Sequence, residues 1–414
     1  MSQAKTRRVL LSFLTLLIIG IGFSCIYRIA WSDIQRTDYT VYTAAGQAIL
    51  DHSDLYSAQN VRGWKYVYPP AFALLMVPFA QLPLAVGALL WYLLEVASIA
   101  AVSLMSMALL KPWLQERHKT LLYSLPLISL CVLLVAGAQR GQASIFMFAL
   151  MVATFYFHFQ KRPVAAGMSL AAASLIKVFP IVLILYFCWR RQWKTLMATG
   201  AALVLMSLIV PSLFLGWSQN LHNIDRWVDV VGRPAMMSNT ERSVATPLYE
   251  QLLDARKPRN QSLEALFLSA NVSPETSKHL VAGCALVMLL TMLRAAQFAR
   301  SRFDELALAG AFLAWSLLIP PISETHYFGA LILPLTVLLG RSLYEGERSE
   351  ADRSALIARG AGTMIVVMGL IRSDYTESFR PLCMATLAIW GLLIYSIFQS
   401  TTQRRASLLS SATA

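Results

Sequence analysis

Asp33 and Asp38 follow closely on an apolar stretch, within Trp31-Ser-Asp-Ile-Gln-Arg-Thr-Asp38-Tyr39-Thr-Val41-Tyr42. A carboxylate held there beneath aromatic side chains, partly stripped of water, could accept a proton from a hydroxyl as a general base. Five positions apart, the two would stand ~140° from each other on a helix, so they are not an obvious pair of facing hydrolase carboxylates. Each, taken alone, also fits a solvated or helix-capping Asp. The nearby Asp51-His52-Ser53-Asp54 carries three residues able to ligate a metal, with Asp51 and Asp54 on one helical face. Ser53-Asp54 before Leu55-Tyr56 reads equally as a turn or N-cap, and no metal is expected.

Other candidates are scattered along the chain. Arg140-Gly141-Gln142, beside Gln139, suits a phosphate or sugar hydroxyls through forked hydrogen bonds; the alternative is an interfacial Arg stretching toward water. Ser323-Glu324-Thr325-His326-Tyr327 follows Pro320-Pro321. His326 there could protonate or hydrogen-bond a leaving phosphate, and Glu324 offers a second base.

The elements that must position these residues are set by composition. Of 414 residues, 57% are apolar and 14% charged, against ~25% charged in soluble domains. An ordinary soluble enzyme, a disordered chain and a disulfide scaffold are excluded. The five cysteines sit in apolar runs without a CxxC, so neither zinc nor disulfides are indicated.

Apolar segments at 9–27, 84–110, 121–135, 143–159, 164–176, 181–189, 195–215, 280–293, 306–322, 328–339, 360–371 and 382–398 predict an all-α polytopic membrane protein of about twelve transmembrane helices. More than half of the 35 Lys and Arg fall in alternate short loops and at the two ends: Lys5/Arg7/Arg8, Lys111/Lys119, Lys161/Arg162, Arg190/Arg191, Arg300/Arg302, Arg341 and Arg404/Arg405 among them. The positive-inside rule then places both termini in the cytoplasm, retains the first helix as an anchor, and explains a net charge of +13 without nucleic acid. The whole chain, 1–414, is expected to be one integral unit in the cytoplasmic membrane. Two long outer loops, 28–83 and 216–279, hold most of the remaining polar residues, and interfacial helices are expected in the first.

Residues 164–189 test this scheme. A single helix would put Lys161/Arg162 and Arg190/Arg191 on opposite sides; two short helices returning through Lys177-Val-Phe-Pro180 keep both inside. Lys177 then lies at or below the outer interface. An unpaired ammonium would cost up to ~2.5–3.5 kcal/mol at the bilayer centre, so Lys177 needs an anionic partner or a wet cavity.

The order Asp38-Tyr-Thr-Val-Tyr42, Asp54-Leu-Tyr56, Tyr68-Pro-Pro70, Gly141-Gln142, Gly167, Ile176-Lys177-Val-Phe-Pro180, Asn260-Gln261-Ser262-Leu263 and His326-Tyr327 resembles glycosyltransferase family 87, over roughly residues 32–334. Here Ala143-Ser144 follow the Gly-Gln pair, and no basic residue closely follows Ser262. The resemblance implies a GT-C type fold and inverting transfer of a hexose, mannose, from a polyprenyl-phosphate donor to a lipid or glycan acceptor outside the cytoplasm. It places the catalytic base on Asp38 and a catalytic His on His326. Lys177, Arg140 and Gln142 would meet the donor phosphate. Tyr42, Tyr68, Asn260, Gln261, Ser262 and Glu324 would contact acceptor or sugar. No cofactor is expected, and membrane lipids surround the chain. The second outer loop, with Trp217, Arg226, Trp227, Arg233 and Arg242, is read as acceptor recognition. Rival readings are a secondary transporter or lipid flippase, and an envelope-assembly protein without catalysis; a transporter would put polar groups at the membrane midplane on broken, repeated helices.

Overall fold

The computed structural model describes residues 3–32, 37–113, 115–344 and 373–412, with residues 360 and 363. Asp33 and most of the expected 360–371 segment lie outside them. The architecture is helical: α1 (Gln3–Ala30), α2 (Asp38–Leu50), α3 (Pro70–Ala80), α4 (Leu84–Leu109), α5 (Glu116–Gln139), α6 (Ser144–Phe159), α7 (Pro163–Ile176), α8 (Ile184–Trp189), α9 (Trp193–Val204), α10 (Val210–Leu215), α11 (Trp217–Trp227), α12 (Asn239–Ala245), α13 (Leu263–Ser269), α14 (Pro274–Phe298), α15 (Arg302–Leu318), α16 (Ile332–Tyr344) and α17 (Pro381–Ala412).

Among the described residues, six helical stretches are long and apolar enough to cross a membrane: Leu84–Leu109, His118–Gln139, Trp193–Leu215, Pro274–Phe298, Thr325–Leu343 and Pro381–Gln399. The chain is a multi-pass membrane protein. Two of the other expected segments fall in shorter helices, α7 and α15. With 14 residues, α7 is ~21 Å long, below the ~30 Å of a bilayer core. The 17-residue α15 is enclosed by protein along almost its whole length, which explains apolarity on every face without lipid contact.

Trp193–Leu215 contains a π-helical turn at Leu205–Ile209, ahead of Pro211. Proline has no N–H for the Ser207 carbonyl four residues back. Asn220, fully buried on α11, replaces it: its amide donates to Ser207 O at 3.0 Å, Leu208 O at 3.3 Å and Ser212 Oγ at 3.1 Å.

The two ends of the bundle differ. At one, Arg341 on α16 pairs with Asp304 at 2.8 Å and donates to Ser396 at 3.1 Å, tying α15, α16 and α17. Arg190 pairs with Glu305 nearby, and Trp113 packs on Phe303 with centroids 4.1 Å apart. The basic loops expected on one side of the membrane, around Lys111, Arg190 and Arg302, are therefore adjacent in space. At the other end, the reversal expected at Lys177 is present: α7 stops at Ile176, and a 3₁₀ turn over Phe179–Leu183 leads into α8. In the first long loop, α3 packs against α2, with the Gly46 Cα next to the Met76 carbonyl.

α6, α7 and α9 pack side by side. Gly167 makes the α7–α9 approach possible, because a Cβ there would lie 2.7 Å from Thr195 O, Thr199 N and the Ala198 Cβ. Backbone atoms cannot yield as a side chain would. Gly167→Val should lower the thermal midpoint of the detergent-solubilised protein by a margin corresponding to about 1–3 kcal/mol or more, the usual cost of overpacking; an unchanged midpoint would mean that the helices are not in this contact.

Candidate active site

Asp38 is the first residue of α2, where the helix dipole favours negative charge. The Arg140-Gly141-Gln142 turn between α5 and α6 clasps it: the Asp38 N–H donates to Arg140 O at 2.9 Å, and the Gln142 amide donates to Asp38 Oδ2. Gly141 has φ +62°, and a Cβ there would stand 2.7 Å from the Tyr39 Cβ. Only glycine meets both demands.

Aromatic rings build the floor. Tyr42 lies edge-on to Tyr68 and Phe72, and its hydroxyl is 2.8 Å from that of Tyr68. Trp91 on α4 packs on Tyr39, Tyr42, Phe79 and Phe146, and its indole N–H donates to the buried Glu95 at 3.1 Å. Burial pushes the Tyr42 and Tyr68 phenols well above their ordinary value, so both stay neutral hydrogen-bonding groups.

Lys177 reaches the same space from the end of α7. Its ammonium donates to Tyr327 Oη at 2.6 Å and lies 5.1 Å from the centre of the Tyr68 ring. Asp38, Tyr42, Tyr68, Arg140, Gln142, Lys177, Asn260 and Glu324 line one polar cavity of about 220 Å³. Eight of the eleven residues expected at the site therefore share a single space, although they span nearly 290 positions of the chain.

The other three behave differently. His326 is buried behind the wall, its Nε2 3.3 Å from Glu324 Oε2, and does not line the cavity. Gln261 is consumed by backbone partners: it donates to Pro258 O and Glu377 O, both at 2.9 Å, and accepts from Leu382 N at 3.1 Å. Ser262 caps α13 and donates to Pro321 O at 3.0 Å. Asn260, though on the wall, uses its amide on Ala255 O, Pro321 O, Ser262 N and Ser323 N.

Several lining residues were not anticipated: Trp64, Lys65, Glu250, Gln251, Asp254, Lys257 and Arg259. Lys257 and Arg259 just precede Asn260 and supply the basic character missing after Ser262. Gln251 and Lys65 join the two long loops by a reciprocal pair of hydrogen bonds, each 2.8 Å. No motif marks these positions; only the meeting of the loops does. Of the second-loop residues, Arg242 is buried in an ion pair with Glu264 at 2.7 Å, Arg226 faces Asp54 at 3.6 Å, and Trp227 donates to Val67 O at 3.2 Å. Asp54 also caps the turn at Leu55–Ser57, and Asp51 accepts from Gln47.

A second space opens beside the first. An apolar groove of about 660 Å³ runs along Val178, Phe179, Val182, Trp227, Val231, Met236 and Leu253. Tyr68 and Lys177 border both. The ammonium thus stands where an oily channel meets a polar chamber.

The electrostatics follow from enclosure. Loss of hydration raises Asp38 to about 7, reinforced by the like charge of Glu324 and opposed by Arg140 and Lys177. Enclosure likewise lowers Lys177 to about 8, while Glu324 and Asp38 hold it up. A carboxylate with affinity for protons near neutrality is suited to general-base work.

The sequence profile of glycosyltransferase family 87 matches residues 66–321, more than half of the chain. The chain belongs to glycosyltransferase family 87. It is similar to the polyprenol-phosphate-mannose-dependent alpha-(1-2)-phosphatidylinositol mannoside mannosyltransferase of Mycolicibacterium smegmatis, 23% identical over 94% of this chain and 88% of that protein. It is also similar to the protein of the same name from Mycobacterium tuberculosis, 24% identical over 81% of this chain and 77% of that protein. The match establishes this family 87 member as a glycosyltransferase. Asp38, Tyr42, Glu324 and His326 fall outside the matched span; the first three line the cavity and His326 does not.

The raised proton affinity of Asp38 carries a stability consequence with a definite sign. A group held above its ordinary value of 3.8 favours the folded state below that pH, and the contribution is lost as pH rises through about 7. Asp38→Asn should match the parent's thermal midpoint near pH 4 and exceed it at pH 8, by at most a few kcal/mol at about 1.4 kcal/mol per tenfold change in proton affinity. Equal midpoints at pH 8 would mean that Asp38 is not desolvated.

Proposed function

We propose that this family 87 member transfers a mannosyl unit from a polyprenyl phosphate to a hydroxyl of a lipid-linked or envelope glycan, with inversion, at a site facing away from the cytoplasm. The observation that carries the reading is the shared border at Lys177 and Tyr68. A polyprenyl-phosphate sugar has an oily tail, a charged phosphate and a polar sugar in that order. Groove, ammonium and polar cavity follow the same order.

The remaining residues take roles from their places. The acceptor hydroxyl attacks the anomeric carbon on the face opposite the phosphate; Asp38 takes its proton while the bond from carbon to phosphate oxygen breaks. The prenyl phosphate leaves with the electron pair, toward Lys177 and Arg140, where cations are most useful to developing negative charge. Gln142 orients Asp38. Tyr42, Tyr68 and Glu324 face the reacting sugars. His326 acts through Glu324, and Asn260, Gln261 and Ser262 hold the wall. The charges at the two ends of the bundle support a topology with the basic loops and both termini in the cytoplasm, loops 28–83 and 216–279 outside it, and one GT-C type domain of about twelve membrane helices. With cations present to receive the phosphate, the reading needs no metal.

Purified protein, a radiolabelled polyprenyl-phosphate mannose and a panel of glycolipid acceptors provide the test. Label should move to an acceptor, and Asp38→Asn should slow transfer by roughly 10²- to 10⁴-fold, the usual worth of a positioned base. Substrate-driven uptake into vesicles without covalent product would refute transfer. EDTA should leave activity intact; a loss restored by Mg²⁺ or Mn²⁺ would contradict the phosphate role given to Lys177 and Arg140.

The pH profile should be bell-shaped. Asp38 works deprotonated, so kcat/KM should fall below about 7; Lys177 works protonated, so it should fall above about 8. Glu324→Gln removes a like charge from Asp38 and should move the acid limb to lower pH. An acid limb that stays in place would separate Glu324 from the base.

A further inference from the structure

The carbonyl oxygens of Arg256, Lys257, Pro258 and Asn260 turn toward one point, and the guanidinium of Arg380 occupies it. Nη1 donates to Lys257 O at 2.6 Å, Pro258 O at 2.8 Å and Asn260 O at 2.9 Å, and Nη2 to Arg256 O at 2.9 Å. Convergent carbonyl dipoles repel one another unless donors or a cation sit among them. Arg380 is 3% exposed and has φ +55°, a backbone conformation uncommon outside glycine. A strained, buried Arg is kept only where its surroundings over-determine it.

Arg380 does not act alone. Gln261 bridges the same two stretches through Pro258 O, Glu377 O and Leu382 N. Together they fasten the start of α17 to residues 256–261. That turn carries Lys257 and Arg259 on the polar cavity, and neither borders the apolar groove. A lipid-linked donor arriving through the groove meets Lys177; Lys257 and Arg259 face the other reactant.

We infer that Arg380 is a positioning residue that sets Lys257 and Arg259 on the acceptor side of the cavity, so that the C-terminal helix is part of the acceptor site. The family profile ends at residue 321, before Arg380 and α17. The inference rests on the reading of glycosyl transfer, and its test separates the two.

Arg380→Ala would take a donor from four carbonyls at once and is not the variant to use. Arg380→Lys keeps a cation with a different donor geometry, and Arg380→Gln keeps two donors should the first fail to fold. Amide hydrogen exchange across 256–260, which needs no substrate, should accelerate in the variant while helices remote from the clamp stay protected. In steady-state assays the acceptor KM should rise roughly tenfold, about the worth of one lost hydrogen bond to a charged group. The donor KM and kcat should stay within twofold of the parent. In a Lys257→Ala/Arg259→Ala background, Arg380→Lys should add no further rise, because it acts through those residues.

Unchanged exchange at 256–260 would overturn the positioning role. So would equal effects on donor and acceptor, or full additivity with the rim variants. A parent protein that transfers nothing to any acceptor would instead remove the reading of transfer, whatever the exchange data show.

Discussion

Everything at this site depends on a carboxylate and an ammonium kept together out of bulk water. Asp38 and Lys177 come from elements nearly 140 residues apart, and each is held away from its ordinary ionisation by loss of hydration. In water such a pair would be worth little. In an enclosed cavity each stabilises the charged form of the other, and the balance leaves both close to neutrality. Two further charges set that balance: Glu324 works against the Asp38 carboxylate and Arg140 works for it. The proton affinity of Asp38 is therefore set by three neighbouring charges rather than by Lys177 alone, and altering any one of them alters it.

Such a group requires a rigid frame, because charges in a low-dielectric site are sensitive to small displacements. The frame comes from contacts that admit little adjustment. Gly141 lets the 140–142 turn lie against Tyr39, Gly167 lets α7 lie against α9, and Asn260 uses its whole amide to join 255–262 to the Pro321–Ser323 stretch. The aromatic floor adds stiffness without adding charge. Each ring in the Tyr42, Tyr68, Phe72 and Trp91 group meets another edge-on or tilted, with centroids between 5.1 and 5.8 Å apart. These contacts explain how a bundle of apolar helices can keep a polar chamber at one end.

Much of this was legible in the sequence, for identifiable reasons. Lys177 could be placed because charge alternation forbids one long helix through 164–189, and a returning chain must turn at Lys177-Val-Phe-Pro180. Asp38, Arg140, Gln142 and Glu324 could be gathered because loops at one end of a bundle share a face. What local pattern could not supply was depth. His326 and Gln261 have the residue types of a site, yet one is packed behind Glu324 and the other bonds three backbone groups. Lys65, Gln251 and Lys257 reach the cavity only because two loops separated by almost two hundred residues meet there, and nothing within either loop announces the meeting. Enclosure is a related case. Hydropathy cannot tell α15, apolar because protein surrounds it, from a helix apolar because lipid does.

The division into groove and cavity gives the arrangement its chemical direction. A groove walled by Phe179, Val182, Trp227 and Met236 offers an apolar chain much the same surroundings as lipid does, so it would discriminate little among oily tails. In the proposed transfer, discrimination would fall to the border, where Lys177 and Tyr68 offer a cation and a hydroxyl to an anionic, hydrogen-bonding group. Beyond the border, carboxylates, cations and amides line the cavity together, a lining that suits hydroxyl-rich molecules better than apolar ones. A soluble sugar phosphate would satisfy the border and the chamber but leave the groove empty. An ordinary phospholipid would satisfy groove and border but bring no sugar to the chamber, and a molecule joining all three parts fits best.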